Sequence, residues 1–230
     1  MDGDVDIAPV AALLGDPARA AIVAALHDGR ALPAGELGRR AGIAPSTASE
    51  HLARLVEGGL LEVERGGRHR YFRLAGAEVA NAVEALAAIS PRRPVRSLRE
   101  ANTASALAEA RTCYDHLAGR LGVAVTDALL AREALVEADG EFAPGRRATF
   151  VFAALEIDLE AVQGSRRPFA LRCLDWSERR PHVAGALGAA LATRALQTGW
   201  VERRPGSRAV RLTPAGQETL RSSLGVELER

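Results

Sequence analysis

The sequence predicts a mainly α-helical protein with short β-hairpins, organised in two parts. Three observations carry that prediction. Apolar residues recur at helical spacing through most of the 230 residues, and the hydrophobic fraction of 47% contains only 4% aromatics. A core of Ala, Leu and Val favours helices over a strand-built sandwich. The period shortens to about two around Gly66-Gly67 and again around Pro205-Gly206, the signature of hairpins. Finally, His116-Leu-Ala-Gly-Arg-Leu-Gly-Val-Ala124 recurs as His182-Val-Ala-Gly-Ala-Leu-Gly-Ala-Ala190, 66 residues later and identical at six of nine positions.

The elements follow in order. Ile7–Leu14 is a short apolar helix ending before Gly15. Asp16 caps a second helix with Pro17 in its first turn, and Ala20, Ile22, Val23, Ala25 and Leu26 form its apolar stripe. Pro33–Arg40 is a short helix with Leu37 inward, stopped by Gly42, and Ser46–Glu57 is another, closed by Gly58-Gly59. Leu60–Arg65 and Arg68–Leu74 are strands around Gly66-Gly67, and Glu78–Ile89 returns to helix. Residues 1–90 form one domain. Ser90-Pro-Arg-Arg-Pro-Val-Arg96 breaks the helix twice with proline, which makes 91–99 a linker.

Residues 100–230 are then a duplicated, helix-rich domain with repeats at about 113–160 and 179–229. In the second repeat a helix, Val183–Gln197, leads to strands Trp200–Arg204 and Arg208–Leu212 and to a final helix from Thr213-Pro214 through Leu220. In the first, Glu141–Arg147 makes a poor second strand. Cys113 to His116 reads as part of a helix, which sets Cys and His on one face. The two histidines fall at equivalent places, whereas position 113 aligns with Arg179 and not with Cys173.

The formal net charge is +1, and all thirty basic residues are Arg. Residues 1–29 hold five acids against Arg19, while Arg30–Arg73 holds eight Arg against five acids. The basic surplus is therefore local, and Arg suits bidentate contacts to phosphate and guanine. No stretch approaches the roughly 20 apolar residues of a membrane span. An acidic Met1-Asp-Gly-Asp4 start is unlike a secretory signal, so a cytoplasmic protein with no membrane partner is expected. Two cysteines cannot build a disulfide framework.

Leu32–Leu74 carries the most information. Two helices joined at Ala41-Gly-Ile-Ala44 form a helix-turn-helix, and the following hairpin is its wing. Ala48, Leu52, Leu55 and Val56 make the buried side of the second helix. Ser46, Thr47, Ser49, Glu50 and Arg54 face outward, with Arg40, Pro45 and His51 at the margins of the same surface. Hydroxyls suit phosphates, Glu accepts from cytosine, and Arg prefers guanine or phosphate. Arg65, Arg68, His69 and Arg70 form a cationic wing tip for the DNA backbone or minor groove.

These segments resemble the winged-helix domain of the ArsR/SmtB family of bacterial regulators. The likeness rests on Leu13-Leu-Gly-Asp-Pro-Ala-Arg19 with Ile22–Leu26, on Ser46-Thr-Ala-Ser-Glu-His-Leu52 with Leu55, and on Gly59-Leu-Leu61, Gly66-Gly-Arg68 and Tyr71–Leu74. The resemblance implies a homodimer built from the first and last helices, a palindromic double-stranded operator, and repression relieved by an inducer. It also implies metal ligands that this chain lacks. Pro33–Arg40, Arg54 and Gly58 carry no Cys, and Glu78–Ile89 offers only Glu78 and Glu84. The second half resembles longer regulators, and that likeness supplies no inducer.

The inducer is expected to be a metal ion, an oxidant of thiols or a small molecule. Cys113, Asp115, His116, Cys173, Asp175, Glu178 and His182 are candidates for a Zn, Cd or similar divalent ion. The two sulfurs could instead form a thiol switch, and Tyr114, Trp176 and Trp200 could line an apolar pocket. The competing account is packing: a His opening an Ala-Gly-x-Leu-Gly helix twice can be a cap, and Cys113 a small buried hydrophobe. Two other functional classes remain open. One is an architectural DNA binder whose C-terminal half only enlarges the dimer. The other is a thiol enzyme using Cys113, Asp115 and His116, although no G-x-S-x-G elbow or phosphate loop appears.

Overall fold

The computed structural model describes residues 4–67, 69–91 and 94–228. Its chain divides into two units, Met1–Val83 and Glu84–Arg230. Arg92, Arg93 and Glu229, which fall in the expected linker and second repeat, lie outside the described residues.

In the first unit, helices α1 (Ala8–Leu14) and α2 (Pro17–Ala25) meet at Asp16. Its carboxylate accepts from the Ala18 and Arg19 amides at 2.9 Å each. Arg19 reaches back from α2, donating from Nε to the Leu13 carbonyl at 2.7 Å and from Nη2 to that of Ala12 at 3.0 Å. Two carbonyls at the open end of α1 are thereby satisfied. Helix α3 (Ala34–Ala41) ends at Gly42, whose φ of +70° takes the left-handed cap that glycine adopts without strain. A Cβ at Gly38 would lie 3.1 Å from Ala48 Cβ, so glycine sets the close approach of α3 to helix α4 (Pro45–Glu57).

Strands β2 (Leu61–Gly66) and β3 (His69–Leu74) form the expected hairpin. Strand β1 (Leu32–Pro33) adds to it, giving the order β1-β3-β2 with Leu32 opposite Phe72. Sequence periodicity gives no sign of β1, because two residues carry no period. Ile22, Leu26, Leu37, Leu52, Leu55, Phe72 and Leu74 are buried beneath these elements. Helix α5 is Ala77–Ile89.

Within Glu84–Arg230, helix α6 (Leu98–Glu109) precedes a hairpin of β4 (Arg111–Cys113) and β5 (His116–Ala118). Helix α7 (Gly119–Ala131), a hairpin of β6 (Leu135–Ala138) and β7 (Glu141–Pro144), and helix α8 (Ala148–Ala154) follow. After helix α9 (Leu159–Gln163) the same order returns. It comprises hairpin β8 (Arg172–Leu174) with β9 (Pro181–Val183), helix α10 (Gly185–Gln197), hairpin β10 (Val201–Arg203) with β11 (Val210–Leu212), and helix α11 (Pro214–Leu224).

Three expectations are corrected here. Cys113 to His116 is not helical: Tyr114, at φ +55°, and Asp115 reverse the chain so that Cys113 and His116 stand directly opposite each other. Glu141–Pro144 does form a second strand. Asp139 and Gly140 both take positive φ, 50° and 79°, as a two-residue hairpin turn requires. The Asp-Gly pair is the sequence signal for it. The last helix runs on to Leu224 rather than stopping at Leu220.

The two hairpin-helix units are interleaved rather than side by side. Helix α7 packs against β9, and α10 packs against β5. The Thr112 amide donates to the Arg208 carbonyl at 2.9 Å, and the Phe142 amide donates to that of Ala170 at 3.2 Å. Each unit thus bonds to the later hairpin region of the other. Leu121, Leu129, Phe142, Phe152, Leu187, Leu191, Trp200 and Leu220 share one apolar core. Among the described residues, no single helix is long and apolar enough to cross a membrane.

Glycines set the contact. A Cβ at Gly122 would lie 2.4 Å from the Leu117 carbonyl oxygen, and one at Gly188 would lie 2.5 Å from that of Val183 and 3.0 Å from His116 Cβ. Gly188→Ala is therefore expected to destabilise this unit by about 1–3 kcal/mol, the usual range for overpacking. Urea unfolding followed by tryptophan fluorescence reads the change. An unchanged midpoint would show that the helix can retreat without cost.

Candidate nucleic-acid interface and a buried cysteine-histidine cluster

Helix α4 presents Pro45, Ser46, Ser49, Glu50 and Arg54 to solvent, with Thr47 and His51 half-buried and Ala48, Leu52 and Leu55 inward. Val56, expected inside, is only half-buried. No side chain caps the start of α4: Ala44 occupies the cap position and Pro45 the first turn. Its N-terminal amides and dipole are thus available to an anion. The outward side chains are held in position. Arg54 pairs with Glu50 at 2.6 Å, and Ser49 Oγ donates to the Pro45 carbonyl at 3.0 Å. Arg40 is tied to Glu36 through Nε at 3.1 Å, and His51 Nδ1 lies 3.5 Å from Arg19 Nη1. On the wing, Arg65 and Arg70 are direct cross-strand partners and both are exposed, as is His69. Arg68 lies outside the described residues.

The second constellation is interior. Cys113 faces His116 across the β4–β5 hairpin, and Cys173 faces His182 across β8–β9. This overturns the expectation that the two cysteines occupy unrelated places. The hairpin loops differ in length, so linear alignment by the histidines displaces the cysteine of one repeat. The four side chains converge: Sγ to Sγ is 3.9 Å, Nε2 to Nε2 is 3.1 Å, and all four donor atoms lie within 4.8 Å of one another. All are buried, at 1%, 2%, 7% and 0% exposure for Cys113, His116, Cys173 and His182.

A carboxylate stands behind each imidazole. Asp115 Oδ1 is 3.3 Å from His116 Nδ1, and Asp175 Oδ2 is 3.4 Å from His182 Nδ1. Burial opposes charge on His116, but the Cys113 sulfur and the Asp115 carboxylate prevail and hold its pKa above the usual value. Burial also opposes charge on His182, and Asp175 and Cys113 overcome it in the same direction. Of the remaining candidates, Asp115 and Asp175 stand behind the imidazoles and Glu178 lies outside the cluster.

Comparison with known proteins adds the biological frame. Residues 14–64 match the model of a helix-turn-helix domain. Over 97% of its length the chain is 45% identical to an uncharacterized HTH-type transcriptional regulator, YdfF of Bacillus subtilis (strain 168), covering 99% of that protein. The chain belongs to the HTH-type transcriptional regulators. The regulator is also 32% identical to the transcriptional repressor BigR from Xylella fastidiosa. That match covers 38% of this chain and 88% of BigR, with a TM-score of 0.35. A homodimeric winged helix-turn-helix DNA-binding domain from Mycobacterium bovis is 30% identical over 37% of this chain and 86% of that one, with a TM-score of 0.33. The regulator is a DNA-binding protein rather than an enzyme.

Sequence reasoning misses the charged group supporting the cluster. Arg111 is fully buried and donates through Nη2 to Glu84 at 3.0 Å and to Asp175 at 2.8 Å. Its guanidinium also lies 4.6 Å from the centre of the Trp176 ring. Asp175 accepts from the Gly119 amide at 2.7 Å and from Ser177 Oγ at 2.6 Å. Burial would raise the Asp175 carboxyl, but His182, Arg111, Ser177 and Gly119 outweigh it and hold the group well below the usual carboxylate range. The linear signal is only an ordinary Arg and an ordinary Asp.

Among the described residues, the three aromatics expected to line an apolar pocket sit in different settings. Trp176 stacks with Arg111 and Tyr114 sits in the β4–β5 turn, while Trp200 lines a void of about 10 Å³ with Leu117, Leu191 and Leu220. That is space for about one water molecule. Arg111→Met would remove the guanidinium that two buried carboxylates, Asp175 and Glu84, share, and is expected to cost about 3–5 kcal/mol. Thermal and urea unfolding measure it, and a loss below about 1 kcal/mol would mean that water readily replaces the guanidinium.

Proposed function

We propose that this regulator is an ArsR-type homodimeric repressor of the cytoplasm. It reads a palindromic operator with two copies of α4, and an inducer acting on its C-terminal unit releases it. The observation that carries the reading is α4 itself, a helix with an uncapped N-terminus and a polar outward face beside a cationic hairpin. Such a helix fits the major groove, and the wing reaches the adjacent backbone. Arg54 exchanges Glu50 for guanine or phosphate, while Ser46, Thr47 and Ser49 position the backbone.

Dimerisation is supported by apolar side chains left in solvent on the elements expected to mediate it. Val10 on α1 is 41% exposed, and Leu86 and Ile89 on α5 are 44% and 79% exposed. Two-fold symmetry of the protein then dictates two-fold symmetry of the operator. Of the three inducer classes, the buried cysteines and histidines favour a thiophilic metal ion or an oxidant. The interleaved half duplicates one hairpin-helix unit, and it serves as the effector unit rather than as passive bulk.

Fluorescence anisotropy of the reduced, full-length protein tests the reading on DNA upstream of its own gene, with a scrambled duplex as competitor. Tight binding that resists the competitor is expected. Arg54→Ala should lose roughly 1–3 kcal/mol and relax specificity, whereas Arg70→Ala should weaken all duplexes alike and flatten the salt dependence by about one charge. Equal binding to both duplexes, abolished by salt, would reduce the protein to an architectural phosphate binder.

A further inference from the structure

We propose that Cys113, His116, Cys173 and His182 together form a closed tetrahedral site for one zinc-class divalent cation. The cation would staple the β4–β5 hairpin to the β8–β9 hairpin. The geometry fits this chemistry closely. With Zn–S of about 2.3 Å and Zn–N of about 2.0–2.1 Å, a tetrahedron sets its two sulfurs roughly 3.8 Å apart and its two nitrogens roughly 3.3 Å apart. The observed separations are 3.9 Å and 3.1 Å. A disulfide would need the sulfurs at about 2.05 Å.

Each hairpin supplies one sulfur and one nitrogen from directly paired positions, so the bite of each half is fixed by strand register. Asp115 and Asp175 stand at the Nδ1 of the two imidazoles. At His116 that placing favours a proton on Nδ1 and an Nε2 lone pair turned inward, the arrangement that metal-ligating histidines commonly show, while Asp175 lies beside His182 Nδ1 without a hydrogen bond to it. Each carboxylate is itself anchored, Asp115 by Arg167 at 2.6 Å and Asp175 by Arg111 at 2.8 Å. Two thiolates and one divalent cation sum to zero, which offsets the charge cost of burying all four ligands. Four protein ligands leave no open position, so the site holds its ion and does not catalyse.

The inference deepens the reading of the C-terminal unit as effector unit, and rests on it only for the consequence at DNA. The test uses the full-length protein, reduced, stripped with chelator and titrated anaerobically with Co²⁺. One equivalent should develop the visible bands of tetrahedral cobalt and a thiolate charge-transfer band in the near ultraviolet. Zn²⁺ should displace the cobalt and raise the melting midpoint. Cys113→Ser and Cys173→Ser should each diminish the charge-transfer band. Asp115→Asn, at a half-buried position, should keep the fold and weaken zinc binding by about 10–100-fold.

If wild-type protein shows neither the cobalt bands nor a zinc-dependent melting shift, the site is overturned. It is overturned equally if the reduced protein ignores metal while air joins Cys113 to Cys173, for the pair is then a thiol switch. Operator anisotropy on stripped and zinc-loaded protein separates the two readings. A loaded site that changes operator affinity supports both. A loaded site without any change keeps the metal centre and removes metal from the role of inducer.

Discussion

A carboxylate with no exposure must be surrounded by donors or lose its charge, and the C-terminal unit is organised around one such group. Asp175 gathers the Arg111 guanidinium, the Gly119 amide, Ser177 and His182 from segments up to 64 residues away. Arg111 in turn needs Glu84. None of these charges tolerates the absence of its partners in a medium of low dielectric. The register of β4, the start of α7, the loop before β9 and the orientation of His182 are therefore fixed together. The cysteine-histidine cluster inherits its geometry from this constraint.

The N-terminal unit solves a different problem with simpler means. A DNA-reading helix must keep one face polar and free while the other is held firmly. Ala48, Leu52 and Leu55 hold it, and Gly38 allows α3 to approach closely enough to brace it. Arg19 performs a comparable service for α1, filling its unsatisfied carbonyls from the neighbouring helix. The outward pair Glu50–Arg54 is local, solvent-exposed and weak enough to be exchanged.

What can be read from sequence follows the range over which each signal acts. Asp16-Pro17, Gly42 and the Gly66-Gly67 turn are local chemistry, and each appears where the residues place it. Asp139-Gly140 is equally local, but its hairpin signal is offset by the unpromising strand sequence after it. The pairing of Cys113 with His116 is hidden for another reason. A spacing of three suggests a helix, and only the left-handed Tyr114 converts it into a turn. The match between the two cysteines is masked by unequal loops, because sequence alignment counts residues whereas strand pairing counts rungs. Arg111 gives no signal at all, since a buried salt bridge depends on partners dozens of residues away.

The interleaving of the two hairpin-helix units also governs when the molecule can finish folding during synthesis. The buried partners named in the winged helix all lie within Met1–Val83, so that unit's contacts are complete early in translation. In the rest of the chain, β5 awaits α10, and the amide of Thr112 awaits the carbonyl of Arg208. Contacts so distant in sequence close slowly. These contacts of Glu84–Arg230 therefore close only after α10 and Arg208 have been synthesised, and until then Cys113 lacks partners that help to bury it. An ion that meets the nascent chain before β9 has been synthesised finds one Cys-His pair in place and not the other.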